Sequence, residues 1–262
     1  MRSGRRIRFG KFRAGTTQPG MGGYLIHTAF DVLAWAAAGA AALWLRRSGR
    51  VSFPVPPQLR FSYLAALVFG AGLGAVACGS ANLWLSGMPG VARSIEGAVA
   101  GGIVAIELYK RMAGITLRTG ARFALPFAVG VAVGRIGCFL SGIDDFTYGT
   151  PTALPWAHDF GDGVLRHPVQ LYESAAMAIF AVVYTWRILN HDRFWIDQGF
   201  YLAVGFYGLQ RFVWEFFKPY GPLVGPLTLF HFLSAAVLIY AIAMIATAPK
   251  QQGSPKDERA FA

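Results

Sequence analysis

Charged residues are scarce in this sequence. Of its 262 residues only 14% are Asp, Glu, Lys or Arg, while 55% are hydrophobic. An average soluble chain carries about 25% charged residues. The composition therefore excludes an ordinary soluble domain of this length and predicts a polytopic helical membrane protein with one membrane domain.

Cysteine is also scarce. Cys78 and Cys138 both lie in apolar runs, which indicates neither a disulfide framework nor a metal site. The aspartates near His158 fit no metal-binding loop, so we predict no metal and no cofactor. Acidic residues are few: 13 against 24 Lys and Arg, a formal net charge of +11. We attribute this excess to basic residues that flank membrane spans, and predict no nucleic-acid partner.

Seven segments have the length and apolar character of a membrane span, which needs about 20 largely apolar residues. The predicted fold class is therefore all-α with seven transmembrane helices, at about 26–45, 61–85, 94–109, 123–143, 169–189, 197–217 and 226–247. Three of them carry Gly-x-x-x-Gly pairs, which let helix backbones approach closely: Gly70/Gly74, Gly97/Gly101 and Gly130/Gly134. The alternative is that glycine simply recurs often in this chain.

Basic residues alternate between the predicted connections. The first, third and fifth connections and the C-terminal tail carry 13 Lys and Arg, and the second, fourth and sixth carry 3. This predicts the N-terminus outside and the C-terminus in the cytoplasm. The six basic residues near the N-terminus favour the opposite orientation, and a start codon placed too early would explain them.

Both ends of the chain are predicted to be tails outside the membrane domain. We expect a basic disordered tail over 1–20, the membrane domain over 21–248 and a disordered cytoplasmic tail over 249–262. A secretory signal peptide is the alternative for the first segment. Asp31 and the distance between the basic residues and the apolar run disfavour it.

Two arginines lie within predicted spans, where charged residues are costly and mark functional sites. Arg211 and Glu215 share a helix face, together with Tyr207. They form either a structural ion pair or part of a polar site. Arg135 lies in the outer half of the fourth span. Two arginines in an apolar bundle, with no excess of carboxylates to neutralise them, predict an anionic ligand, and a lipid phosphate is the obvious one in a membrane.

A second polar group lies at the predicted outer end of the fifth span. His167 follows Arg166, and Gln170, Tyr172 and Glu173 follow within two turns. His167 is either a general base or a hydrogen-bonded structural residue. Elsewhere, Glu96 opens the third span and is predicted to interact with that helix dipole, while Glu107 is expected to pair with a neighbouring basic residue.

Three ordered motifs give the sequence a family resemblance. GRIGCFLSG, RHPVQLYE and YGLQRFVWEFFKP resemble the motifs G-R-I-G-N-F-x-N-G, R-H-P-x-Q-L-Y-E and Y-G-x-x-R-F-x-x-E-F-x-R of bacterial prolipoprotein diacylglyceryl transferases. EGAVAGGIVAI and TLFHFLS also match family segments, so the resemblance covers about residues 25–247. It implies an enzyme of the bacterial inner membrane. Such an enzyme moves the diacylglyceryl group of phosphatidylglycerol to the lipobox cysteine thiol of a prolipoprotein and releases glycerol-1-phosphate.

The resemblance also implies a set of site residues. Arg135 and Arg211 match the family's essential arginines, suited to binding phosphate and stabilising the leaving group, with Glu215 orienting Arg211 and His167 in the second motif. The residues expected to bind substrate are Gly134, Gly137, Cys138, Gly149, Arg166, Gln170, Tyr172, Glu173, Tyr207, Gly101, Gly102 and Glu96. The partners implied are phosphatidylglycerol or another anionic phospholipid, and prolipoproteins.

The sequence departs from the family pattern in four places. Ala100 replaces a histidine proposed to activate the thiol, and Cys138 replaces the motif asparagine. The family's tyrosine in the first span is absent from IHTAFDVLAW, and the loop after GRIG is longer by about three residues and carries Asp144 and Asp145. A thiol near its pKa is partly ionised without help, and His167, His27 or Glu96 are the residues available to replace the missing base.

These departures leave other functions open. The first is the family's own transfer reaction. The second is a divergent enzyme of the same fold with another acceptor or lipid. The third is a non-catalytic lipid-binding or scaffold protein, which does not explain why RHPVQLYE and the Arg211/Glu215 pair are present. A transporter is a fourth, for which the sequence offers no visible inverted repeat.

Overall fold

Seven long α-helices make up most of the described part of the chain. The structure, a computed structural model, describes residues 21–248, so the tails predicted at 1–20 and 249–262 lie outside the described residues. The helices are α1 (Met21–Ser48), α2 (Arg60–Leu85), α3 (Ile95–Met112), α4 (Ala124–Leu140), α5 (Val169–Leu189), α6 (Arg193–Glu215) and α7 (Leu229–Ala246). Each lies at the position of a predicted segment.

The ends of several helices differ from the prediction, for local reasons. Helix α4 ends at Leu140 rather than near 143, because Gly142 has a left-handed backbone (φ 74°) that turns the chain. Helix α6 begins earlier than predicted, because the Asp192 side chain caps it by accepting a hydrogen bond from the Trp195 N–H. Helix α7 begins later, behind a capping box made by Thr228 and His231.

Within residues 21–248, four helical segments are long and apolar enough to cross a membrane: Leu25–Ser48, Pro57–Leu85, Ala121–Leu140 and Leu229–Ala246. The chain is therefore a mostly helical membrane protein. Helices α3, α5 and α6 each carry charged residues within their length, and those charges build the polar site described below.

Glycines bring α2 and α3 into close contact. A β-carbon added at Gly74 would collide with the Gly97 carbonyl oxygen, and one added at Gly70 would collide with Ala105. Two of the three predicted Gly-x-x-x-Gly pairs thus interdigitate. The third pair makes looser contacts, since β-carbons at 130 and 134 would lie 3.5 and 3.8 Å from alanine β-carbons of α1.

Neighbouring helices run antiparallel. Gly205 of α6 faces Ala241 of α7, and Gly208 faces Ser234. Helix α4 pairs with α1 in the same way, since Gly130 faces Ala38 and Gly137 faces Phe30. The N-terminal ends of α1, α3, α5 and α7 therefore meet the C-terminal ends of α4 and α6 at one end of the bundle.

The long connection between α4 and α5 covers this end. It holds a short two-stranded antiparallel ribbon, β1 (His158–Asp159) and β2 (Leu165–Arg166), with His158 opposite Arg166. The ribbon was not predicted, because two-residue strands leave no periodic signal. A hydrogen bond from the Thr150 N–H to the Phe217 carbonyl (2.6 Å) ties the connection to the end of α6.

Candidate functional site

A buried carboxylate, Glu173 in the first turns of α5, lies at the centre of a cluster of charges. Its Oε1 accepts a hydrogen bond from Arg211 Nη1 (2.7 Å) and lies 2.7 Å from Lys218 Nζ. Its Oε2 lies 2.5 Å from Arg135 Nε. The Glu173 side chain has no exposed surface. Helices α4, α5 and α6 place Arg135, Glu173 and Arg211 at the same end of the bundle, and Lys218 follows the end of α6. Three cations therefore converge on one carboxylate.

Arg211 is held by three carboxylates in different directions. Besides Glu173, its Nε donates to Glu96 Oε2 (3.1 Å), and its Nη2 lies 2.9 Å from Glu215 Oε2. The contact to Glu215 is the helical i, i+4 pair predicted from the sequence. Each of the three guanidinium nitrogens thus has its own partner, a geometry that a lysine at this position would not reproduce.

The prediction of an anionic ligand assumed no excess of carboxylates to neutralise these arginines, but both arginines are paired with buried carboxylates. Among the described residues, Arg135, Arg211 and Lys218 are matched by Glu96, Glu173 and Glu215. A buried network of this kind is costly to break, because removal of one partner leaves an uncompensated charge away from water. An anionic ligand would therefore bind by exchanging with a carboxylate rather than by filling an unpaired positive site.

Residues of α7 and its N-cap hold Glu96 and Glu215, the two carboxylates that contact Arg211 besides Glu173. The Ser234 hydroxyl donates to Glu96, and the Thr228 hydroxyl donates to Glu215 Oε1 (2.6 Å). Glu96 lies in the first turn of α3, where its interaction with the helix dipole was predicted, and the side chain that caps this helix is Ser94, which accepts from the Gly97 N–H. The sequence prediction missed Ser234 and Thr228, since their partners lie far away in the chain. It also missed Lys218, although this residue stands at the position of the last arginine in the third motif.

Three buried polar side chains beside the network have no hydrogen-bond partner among the described residues: Gln170, Tyr207 and Gln210. Tyr207 lies within electrostatic range of Arg135 and Arg211. Buried polar groups in proteins are nearly always hydrogen-bonded. These side chains are therefore suited to bind a polar group of a ligand next to the arginines.

An apolar cavity of about 320 Å³ lies between the helices on the side of the network where α4 begins, and Ile95, next to Glu96, is among its lining residues. Val99, Phe127 and Val204 are among its lining residues, and the Phe127 ring contacts the ring of Tyr207, with centroids 5.3 Å apart. Glu107 is also at the wall, and it forms the predicted pair with a neighbouring basic residue, Lys110 (3.2 Å). A site with charged groups at one end and an apolar cavity behind them is suited to an amphiphilic ligand.

His167 and Tyr172 lie together at the start of α5. The Tyr172 hydroxyl lies 3.3 Å from His167 Nδ1 and accepts a hydrogen bond from Trp156 Nε1 (2.7 Å). The His167 ring packs edge-on against Phe217. These two predicted site residues therefore form a hydrogen-bonded aromatic group.

Arg166 belongs to the connection above the bundle. Its guanidinium makes two hydrogen bonds to the carboxylate of Asp162 (2.5 and 2.6 Å) and lies over the ring of Tyr148. The hydrogen bond from Arg166 lowers the pKa of Asp162 below its ordinary value and raises the pKa of Arg166. Burial raises the pKa of Tyr148. Arg166 therefore stabilises the fold of the connection.

The predicted glycines lie at close helix and loop contacts. Gly101 lies against Gly70 and Gly74 of α2, and Gly102 lies near Leu67 and at the wall of the cavity. The other predicted glycines also lie at close contacts: Gly134 faces Ala34, Gly137 lies against Phe30, and Gly149 lies against the backbone of His167.

A second cluster of reactive side chains forms where α1 meets the end of α4. His27 Nε2 lies 3.1 Å from Asp145 Oδ1 and 3.9 Å from Cys138 Sγ, and His27 Nδ1 lies 3.3 Å from Asp31 Oδ2. Arg135 Nη1 lies 3.9 Å from the same sulfur. Because Arg135 also contacts Glu173, it connects this cluster to the charge network.

Comparison with known proteins places this architecture in a family. The family model described as prolipoprotein diacylglyceryl transferase matches residues 32–247, most of the chain. The chain belongs to the prolipoprotein diacylglyceryl transferase family. Relatives named phosphatidylglycerol–prolipoprotein diacylglyceryl transferase include those of Mesorhizobium japonicum, 34% identical over 191 residues, and Geobacter sulfurreducens, 31% identical over 182 residues.

The similarity to these transferases extends over only part of each chain. The matches cover 66% of this chain in both cases, and 62% and 66% of the two relatives, so the chain spans just under two thirds of their length. A transferase of Wolinella succinogenes is 35% identical over 159 residues, which cover 56% of this chain and 54% of the relative. All three matched motifs fall within the family region.

Ala100 stands where the family has a histidine proposed to activate the acceptor thiol, so its surroundings show whether another base could replace that histidine. Ala100 packs against the apolar group of α6 and α7 that contains Tyr201 and Val237. Of the residues available to replace the missing histidine, Glu96 is held by Arg211 and Ser234, and His167 is bonded to Tyr172. His27 is the one in contact with a thiol and two carboxylates.

Proposed function

We propose that this chain transfers the diacylglyceryl group of phosphatidylglycerol, or of a related anionic phospholipid, to the lipobox cysteine of a prolipoprotein. We further propose that it crosses a bacterial inner membrane seven times, with the N-terminus outside. The polar site then lies at the outer end of the bundle, where α3, α5 and α7 begin and α4 and α6 end. A secreted acceptor would meet the site on that side.

The observation that carries the proposal is the convergence of the two motif arginines on Glu173, beside an apolar cavity. A phosphate group is recognised by arginine through the same paired geometry as a carboxylate. The phosphate of the lipid would exchange with part of the Glu173 interaction with Arg135 and Lys218. The acyl chains would enter the apolar cavity, and the unpartnered amides of Gln170 and Gln210 would bond to the polar headgroup.

The arginines would contribute most to the rate at the moment when the bond to phosphate breaks. Negative charge then increases on the departing glycerol phosphate, and fixed cations in a water-poor site stabilise it strongly. Glu96 and Glu215 would hold Arg211 in place for this step. His167 and Tyr172 would contact the acceptor or the headgroup from the outer surface.

Complementation tests the proposal. The chain is expressed in bacteria depleted of their own transferase, and the mass of a reporter lipoprotein is measured. We expect a diacylglyceryl-modified reporter and restored growth with the wild type, and neither with Arg135→Ala or Arg211→Ala. The matched control is Arg193→Ala, an exposed arginine at the start of the same helix as Arg211, which should behave as the wild type.

Two results would contradict the proposal. One is an unmodified reporter although the wild type is expressed and inserted in the membrane. The other is full modification by both arginine variants. The proposed topology is tested separately by reporter fusions, which should place residue 90 outside and residue 115 in the cytoplasm.

A further inference from the structure

Three of the four departures from the family pattern come together in space. Cys138 stands in place of the motif asparagine, His27 lies on the first span where the family tyrosine is missing, and Asp145 lies in the lengthened loop after α4. Their reactive atoms, Sγ, Nε2 and Oδ1, all lie within 4.8 Å of one another. The fourth departure, Ala100, removes the residue proposed to activate the acceptor thiol.

We propose that Cys138, His27 and Asp145 bind a zinc ion, and that this ion takes over the activation of the acceptor thiol. The catalytic part of this inference rests on the proposed function, whereas zinc binding does not. Thiolate, imidazole and carboxylate are the three ligand types that zinc uses in proteins, and a site with three protein ligands keeps a fourth position for water or substrate.

The distances suit this ion. Zinc bonds of about 2.3 Å to sulfur and about 2.0–2.2 Å to nitrogen and oxygen, in tetrahedral geometry, separate sulfur from nitrogen by about 3.6 Å and nitrogen from oxygen by about 3.4 Å. The corresponding separations are 3.9 Å between Cys138 Sγ and His27 Nε2 and 3.1 Å between His27 Nε2 and Asp145 Oδ1. These two separations need shifts of only a few tenths of an ångström. The third, between Cys138 Sγ and Asp145 Oδ1, lies within 4.8 Å, and tetrahedral zinc would draw these two atoms to about 3.6 Å.

The surroundings also match those of a metal site. The second ring nitrogen of His27 faces Asp31 at 3.3 Å, and zinc-binding histidines usually donate that N–H to a carboxylate or carbonyl group. A thiolate and a carboxylate together balance the charge of a divalent cation. Arg135 lies near the sulfur, but its charge is already shared with Glu173 at 2.5 Å.

The backbone brings the three ligands together through two glycines. Gly137 has no β-carbon, so the Phe30 ring of α1 packs against the α4 backbone there, one turn along α1 from His27. Gly142 has φ 74° and turns the chain after α4, which brings Asp145 back toward α1. The side chains of His27 and Asp145 are 32% and 9% exposed, and Cys138 is buried. An acceptor would therefore reach the cluster on the His27 side.

The bound ion would act on the acceptor as follows. The acceptor thiol binds at the fourth position and loses its proton to water, because zinc strongly favours the thiolate form. The sulfur then attacks the glyceryl carbon that carries the phosphate ester. The carbon–sulfur bond forms, the carbon–oxygen bond breaks, and glycerol phosphate leaves with the electron pair. Arg135 Nη1 lies 3.9 Å from Cys138 Sγ, so a phosphate bound by Arg135 would lie directly beside the acceptor thiolate on the zinc ion.

Metal analysis tests the inference without any activity assay. The full chain, with a tag free of histidine, is purified in detergent, stripped with a chelator, re-equilibrated with zinc ion and analysed by mass spectrometry of metals. The wild type should retain zinc in stoichiometric amount. Cys138→Ser and His27→Ala should retain less than about a tenth of it, and Asp31→Asn should bind about 10–100-fold more weakly. Cys78→Ser, in α2, is the matched control and should bind as the wild type.

Cobalt substitution gives a second readout, since a thiolate ligand produces a charge-transfer absorption that Cys138→Ser should lose and Cys78→Ser should keep. Equal zinc in the wild type and in both ligand variants, each eluting as a single folded species, would overturn the inference. So would transfer activity in chelated enzyme that holds no zinc, although the proposed function would then stand. Stoichiometric zinc at Cys138 without transfer of any lipid would support the metal site and overturn the proposed function.

Discussion

Replacing Glu173 by glutamine should destabilise the bundle strongly. The substitution keeps the size of the side chain but removes the charge that three buried cations share at 2.5–2.7 Å. Loss of one partner from a buried ion network costs about 3–5 kcal/mol. Each kcal/mol corresponds to about 2–4 °C for a chain of this size, so the melting temperature should fall by about 6–20 °C.

The assay is thermal unfolding of the purified chain in detergent, followed by intrinsic tryptophan fluorescence. Glu107→Gln is the matched control, because Glu107 also pairs with a lysine, but its side chain is 32% exposed. Such a pair contributes about 0–1 kcal/mol. The double variant with Lys218→Met restores the balance of charge and should recover part of the loss. Equal melting temperatures for Glu173→Gln and Glu107→Gln would refute the reasoning.

Three further predictions concern the charge network, the helix packing and the outer loop. Arg211→Lys should lower transfer activity by about 10²–10³-fold with a stable fold, because one ammonium cannot meet three carboxylates; initial rates of lipid transfer measure this. Gly74→Ala should destabilise by about 1–3 kcal/mol through collision with α3, whereas Gly72→Ala, which meets nothing within 4 Å, should not; melting temperatures compare the two. The pKa of Asp162 is lowered in the folded protein, so its pair with Arg166 should stabilise the loop fully at pH values above the ordinary carboxyl pKa of about 3.9. This stabilisation should be lost as the pH falls through the pKa of Asp162 in the folded protein. The rate of proteolysis of the loop, measured against pH, should show this dependence in the wild type but not in Asp162→Asn.

The positions of the helices could be predicted from the sequence, because each one is a continuous apolar segment bounded by polar loops. Contacts within one helix could be predicted as well, such as the pair of Arg211 and Glu215, since helical periodicity determines them. The packing of α2 on α3 followed from their glycine spacing. These features depend on residues close together in the chain.

Contacts between distant segments could not be predicted in the same way. Glu96 and Arg211 are 115 residues apart, and no local pattern indicates that α3 and α6 meet there. For this reason the pairing of the arginines with Glu96 and Glu173 was not predicted. The cluster of His27, Cys138 and Asp145 combines one residue from α1, one from α4 and one from a loop, so each looked isolated in the sequence. The departures from the family pattern were visible, but only the fold shows that three of them adjoin one another.

The most direct test of the central claim is transfer by the purified chain. Vesicles that contain the chain and phosphatidylglycerol are incubated with a lipobox peptide, and the peptide mass is measured. We predict a mass increase equal to one diacylglyceryl group, with release of glycerol phosphate. Neither should occur with Arg135→Ala or with a peptide whose cysteine is replaced by serine. An unmodified peptide in the presence of correctly inserted wild-type chain would contradict the account.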